Sequence, residues 1–210
     1  SRISNFTTMA QGHHYIRLYS TILLGFCFVI IRQVELNPTV FRVIPKESDT
    51  RKCLLRTAKS QLHVREMNSN RGKEVEKYLA SCSLKVPNPY CGAFLKWLHD
   101  QCGIQVPIIF PARASNWFTD RKRTIWKLGH PISPQSPQEG DIAGFDFRTK
   151  DKVFQISHVE LVWEWEDDED VEEFYTIGAN TSAPRGVLNP REGVHLKERN
   201  KDQAIVVKVL

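Results

Sequence analysis

The stretch "NPYCGAFLKWLHDQCG", residues 88–103, decides how this chain is read. Asn88 is a good N-cap, Pro89 suits the first helical position, and Gly103 suits the stop. The stretch therefore reads as a helix with Cys91 third in it, where backbone N–H groups have no intrahelical partner. Phe94, Leu95, Leu98 and Cys102 follow at helical spacing, so Cys91 heads a buried stripe. A free cysteine most often serves as a small core residue. A thiol in the first turn, however, also feels the positive end of the helix dipole, which favours a thiolate nucleophile.

Outward from this helix, the segments near 50–62 and 73–82 show helical spacing, with Val75, Tyr78, Leu79 and Cys82 on one stripe. "SNWFTDRKRTIWKLG" reads as a short helix carrying Trp117 and Trp126, and "HPISPQSPQEGD" as a loop. Strands are expected at Ile142–Phe147, Val153–Trp165, Phe174–Thr181, Val194–Arg199 and Ala204–Leu210. Helices followed by strands argue an α+β domain, with N-terminal helices packed on an antiparallel sheet.

Of the five cysteines, Cys27 lies in an apolar leader, and Cys53, Cys82 and Cys102 fall on helical patterns. No CxxC pair or zinc spacing is present, so neither a metal, nor a cofactor, nor a disulfide scaffold is expected. "LYSTILLGFCFVII", residues 18–31, is apolar and flanked by Arg17 and Arg32. It is short for a span of roughly 20 residues and fits an export signal or a membrane anchor. Residues 1–45 are assigned to that segment and 46–210 to a single domain, expected to be exported to the cell envelope or beyond.

Glu164–Glu173 holds eight acidic residues, leaving the remainder with 29 basic against 16 acidic side chains, a net +13. A basic body suits an anionic partner. No recognised nucleic-acid-binding module accompanies the basic "RKR" at 121–123, so nucleic acid is not the expected partner.

If "DDED", residues 167–170, forms a hairpin tip, opposed residues have numbers summing to about 338. That register sets Trp165 against Glu173, Val162 against Thr176, Glu160 against Gly178, and His158 against Asn180. An asparagine beside a histidine accepts from one ring nitrogen and leaves the other for a thiol, the logic of a Cys-His-Asn site.

"NRGKEVEKYLASCSL…NPYCGAFLKWLHDQCG", followed in order by "EGDIAGFDF", "SHVELVW", "TIGANTSAPRGV" and "REGVHLKER", resembles CHAP domains. These are cysteine, histidine-dependent amidohydrolases and peptidases that cut bacterial peptidoglycan. The resemblance runs from about Thr57 to Val209. It implies a papain-like fold, Cys91 as nucleophile, His158 as general base and Asn180 as orienter, with the Cys91 N–H in an oxyanion hole. It also implies peptidoglycan as partner. The chain is expected to be a monomer, with membrane contact through the apolar residues 18–31 if the leader is retained. The alternatives are a papain-like peptidase or acyltransferase on a protein substrate, or an inactive wall-binding module.

One departure stands out. The family often reads "EGN" where this chain has "GAN", and a glycine after "HV" where this chain has Glu160. The hairpin register opposes Glu160 to Gly178, so the carboxylate is expected to have crossed to the neighbouring strand beside His158, whose face it shares.

Overall fold

The computed structural model describes residues 46–148, 153–168, 170–187 and 190–208. The proposed export segment, with Leu18–Ile31, lies outside the described residues. Three helices lead: α1 (Glu47–Ser60), α2 (Lys73–Ala80) and α3 (Cys91–Gln101). Seven strands follow: β1 (Thr124–Lys127), β2 (His130–Pro131), β3 (Ile142–Phe145), β4 (His158–Glu164), β5 (Glu173–Thr181), β6 (Gly193–Asn200) and β7 (Ala204–Val207). They form one sheet in the order β2-β1-β7-β3-β4-β5-β6, with every pairing antiparallel. The architecture is α+β, as the order of patterns implies. Among the described residues no helix is long and apolar enough to cross a membrane.

α3 is the centre of the packing. Eight of its eleven residues are buried, so it is apolar nearly all round rather than along one stripe. Phe94, Leu95, Trp97 and Leu98 meet Tyr78 and Leu79 of α2 and Leu54 of α1 on one side. On the other lie Val159 and Leu161 of β4, Ile177 and Ala179 of β5, and Val194 of β6. Each large side chain so buried contributes roughly 1.5–3 kcal/mol. A smaller cluster, built on Phe145, Val162, Phe174 and Val206, covers the opposite face of the sheet. Strand alternation sorts side chains between the two. Val159 and Leu161 belong to the helix side, while His158, Glu160 and Val162 share the other face.

The sequence reading places the later strands well and misses two. Thr124–Lys127 is a strand, so Trp126 is not helical; in place of the short helix stand two 3-10 segments, Ala114–Phe118, carrying Trp117, and Arg121–Arg123. β4 starts at His158, five residues later than expected, because Asp146 and Arg148 fasten Gln155 and Val153 into a loop. The β4–β5 register is confirmed at Glu160–Gly178 and Val162–Thr176. It shifts after Val162, so that Glu164 opposes Tyr175 and the expected Trp165–Glu173 pair is displaced.

The expectation that Cys53 and Cys102 are simple helix residues fails. They form a disulfide that ties α1 to the C-terminal end of α3, where Cys102 caps the helix. Helical spacing within either segment carries no record of contact across 49 residues. Closing a loop of that length restricts the unfolded chain, so Cys53→Ser with Cys102→Ser is expected to lower the unfolding free energy by about 2–4 kcal/mol. Urea denaturation of the pair variant beside the native protein checks this; an unchanged midpoint would show that the crosslink is energetically idle.

Candidate active site

The start of α3 is built differently from its sequence signature. Cys91 is the first helical residue, not the third, and Tyr90 stands at the cap position. Asn88 does not cap the helix; its side-chain amide donates to the Lys85 carbonyl at 2.6 Å. The cap comes from far along the chain, where Asn180 Oδ1 accepts the Tyr90 N–H at 2.9 Å. Asn180 Nδ2 donates to Asn70 Oδ1 at 2.9 Å, and the Asn70 N–H in turn donates to buried Glu66 at 2.6 Å. A bulge between Ala179 and Thr181, with Asn180 in left-handed backbone at φ 57°, turns this side chain toward the helix. Gly92 completes the junction. A Cβ there would lie 2.4 Å from the Pro111 carbonyl oxygen, so only glycine admits the 111–112 backbone against the helix.

Cys91 is 5% exposed and faces the first residues of β4. Burial opposes its ionisation most strongly. A hydrogen bond and charge from His158, with the N–H groups of Val159 and Gly92, outweigh burial and hold the thiol below its ordinary range. His158 Nε2 lies 3.0 Å from Glu160 Oε1, which leaves Nδ1 for the thiol. Burial alone would depress this imidazole, but its bonds to Cys91 and Glu160 prevail and push it up to about 9.

Asn180 therefore does not take the place expected of it beside His158. Its two polar atoms are committed to Tyr90 and Asn70, and the partner of the imidazole is Glu160. Glu160 is fully buried on β4, directly opposite Gly178. A Cβ on Gly178 would stand 2.2 Å from Glu160 Oε1, so the missing side chain on one strand is the space the carboxylate fills on the other. Arg199 grips that carboxylate through Nε at 2.8 Å and through Nη2, while Thr176 Oγ1 donates to it at 2.6 Å. Burial resists the charge on Glu160 most, yet these bonds from Arg199 and His158 keep it well below the usual carboxylate range.

Arg199 and Thr176 were not singled out in the sequence. The available signal was chemical: a carboxylate buried in a sheet requires a cation, and β6 offers Lys197 and Arg199 on one face. Arg199 also lies against the stacked rings of Phe145 and Phe147, at 5.1 and 4.9 Å from their centroids. Phe147 also leans over His158, its ring 5.3 Å away. A cleft opens here, lined by Phe147, His158, Asn180, Ser182, Glu192 and Arg199.

The other free thiol among the described residues, Cys82, lies outside this site and is pushed up by burial. His99 is a core residue whose ring bonds the Leu95 carbonyl; burial pushes it down to about 4, so it is neutral. Among the described residues no group of three or more His, Cys, Asp and Glu side chains is placed to hold a metal ion. Comparison with protein-family models, curated proteins and solved structures returned no match.

His158 binds its proton more tightly folded than unfolded. Its contribution to stability is complete below the ordinary value of 6.5 and fades as pH rises through about 9. Glu160→Gln removes the charge that supports the imidazolium. The His158 titration, followed by NMR, is expected to move from near 9 toward or below 6.5 in that variant. An unmoved midpoint would assign the shift to Cys91 alone.

Proposed function

We propose that this protein is a cysteine-dependent amidohydrolase of the CHAP type, with a papain-like arrangement of helix and sheet. The observation that carries the reading is a buried thiol in the first turn of a helix, held below its ordinary range by the neighbouring imidazole of His158, whose Nε2 meets a buried carboxylate at 3.0 Å. That is the constellation nucleophilic acyl transfer needs: nucleophile, base and orienter in series. It argues against the inactive wall-binding module, since the carboxylate absent at Gly178 is supplied by Glu160.

In the reaction, Cys91 Sγ attacks the carbonyl carbon of the scissile amide as a thiolate. The tetrahedral oxyanion is met by the Cys91 N–H at the helix start, where no intrahelical acceptor competes. His158 gives its proton to the departing amine nitrogen, the C–N bond breaks, and a thioester remains. His158 then takes a proton from water, the resulting hydroxide attacks the thioester carbon, the C–S bond breaks, and the carboxylic acid leaves the Cys91 thiolate beside protonated His158 as at the start. Glu160 and Arg199 act through His158 and are positioning residues.

The substrate we assign is an amide bond of peptidoglycan, on the strength of the ordered motifs quoted above and a basic body suited to an anionic wall. Export is supported by the apolar run Leu18–Ile31 and by the Cys53–Cys102 disulfide, a bond that persists in oxidising compartments.

Release of soluble muropeptides from purified sacculi tests the reading. Cys91→Ala is expected to abolish release; native-like release from that variant would refute the assignment. The carboxylate exchange gives a sharper expectation. Gly178→Glu alone sets a second side chain into the space of Glu160 and should cut both stability and turnover. Adding Glu160→Gly should recover part of both, because the carboxylate then approaches His158 from β5. A double variant no better than the single one would show that the two positions do not exchange this role.

A further inference from the structure

The loops around the thiol carry an unusual surface. Ile109 and Phe110 are each 77% exposed, and Met67, Phe147 and Val153 are exposed as well. These residues belong to segments that meet at one end of the molecule. The 111–112 backbone packs on Gly92 at the start of α3, Phe147 leans on His158, and Asn70 bonds Asn180. Arg65 bridges Gly193, and the Glu66 N–H donates to the Glu192 carbonyl, which brings the 190–193 segment to the same end.

Ile109 and Phe110 are held out rather than left loose. Phe110 has left-handed backbone at φ 53°, a strained state for a bulky residue. Asn116 Nδ2 donates to the Ile109 carbonyl at 2.6 Å, Trp117 Nε1 to the Pro111 carbonyl at 2.7 Å, and the Arg113 N–H to the Phe110 carbonyl at 3.0 Å. Fixing two apolar side chains in water is unfavourable unless something covers them.

The charge around them identifies the cover. Arg71, Lys85, Arg113, Arg185 and Arg191 are exposed in these same loops. Against them the exposed carboxylates are fewer, Glu192 in these loops and Glu76, which shares a cleft with Met67 and Arg71; Glu66 is buried and Asp146 pairs with Arg148. The acidic run sits at the other end, because β4 leads away from His158 to Glu164 and β5 returns from Glu173 to Thr181. Among the described residues the loops at the thiol end are thus basic and apolar, and the hairpin at the far end is acidic.

We propose that the thiol end docks on an anionic lipid bilayer, with Ile109 and Phe110 entering the headgroup–acyl boundary and the flanking cations on the headgroups. A hydrated anionic polymer would satisfy the cations but offer nothing to the apolar pair. The inference goes beyond the amide chemistry and stands apart from it. Its consequence is that the cleft meets its substrate at the membrane surface.

Co-sedimentation of the full chain tests this, with vesicles of phosphatidylglycerol mixed with phosphatidylcholine, and with phosphatidylcholine alone. Binding should favour the anionic vesicles and weaken at high salt. Because the apolar run 18–31 can itself enter lipid, the location is read by hydrogen exchange. Protection is expected over 107–113 and around Phe147, and not over the 164–173 hairpin. Ile109→Ser with Phe110→Ser should lower partitioning about tenfold, and Arg113→Glu with Arg191→Glu by about as much. The charge pair keeps the test open if the serine pair misfolds. Equal partitioning of a folded variant, protection confined to residues before 46, or equal binding to both vesicle types would overturn the proposal. Vesicle binding is read without turnover, so its loss and the loss of hydrolysis in Cys91→Ala are separate results.

Discussion

The site depends on one buried charge. Glu160 sits in the middle of a seven-stranded sheet with no exposed surface, where an unpaired carboxylate would be prohibitively costly. Three donors make it tolerable: a two-point grip from Arg199, a hydroxyl from Thr176, and the imidazole of His158. Gly178 makes it sterically possible by leaving the opposing strand bare. The remaining geometry follows from this cluster. The carboxylate fixes Nε2 of His158, so Nδ1 is presented to the sulfur, and the aromatic pair Phe145 and Phe147 holds the arginine in place.

A second constraint brings the thiol to meet that imidazole. Helix α3 carries no cap of its own and borrows one from the bulged end of β5 through Asn180. The same side chain reaches back to Asn70 and the buried Glu66, so one asparagine ties together the loop before α2, the helix start and the sheet. Asn180 thereby belongs to the site for a different reason from the one its cross-strand position implies. It sets where Cys91 stands, while Glu160 sets how His158 points.

What was legible in the sequence follows the range of the forces involved. Periodicity and turn chemistry are local, so the helices, the later strands and the hairpin register could be read, and the opposition of Glu160 to Gly178 emerged from that register. The helix start was read two residues early because Asn88 and Pro89 form a familiar local signature. A tertiary contact from Asn180 supplied the actual cap. The disulfide, the Arg199 clamp and the pairing of Thr124–Lys127 with β7 join residues far apart in the chain, and local pattern holds no trace of them. The acidic run was correctly a hairpin tip; that its charge stands opposite a basic end became visible only with the strand directions.

The central claim is that a relocated carboxylate keeps Cys91 and His158 as a thiolate–imidazolium pair. The most direct measurement is the pH dependence of Cys91 alkylation by iodoacetamide, followed by peptide mass in the native protein and in Glu160→Gln. Reactivity in the native protein should be established well below the free-thiol range of about 8.5, and its alkaline end should follow the titration of His158. In Glu160→Gln the onset should move up toward that free-thiol range. Onset near about 8.5 in both proteins would contradict the account, showing a thiol that ionises without help from either His158 or Glu160.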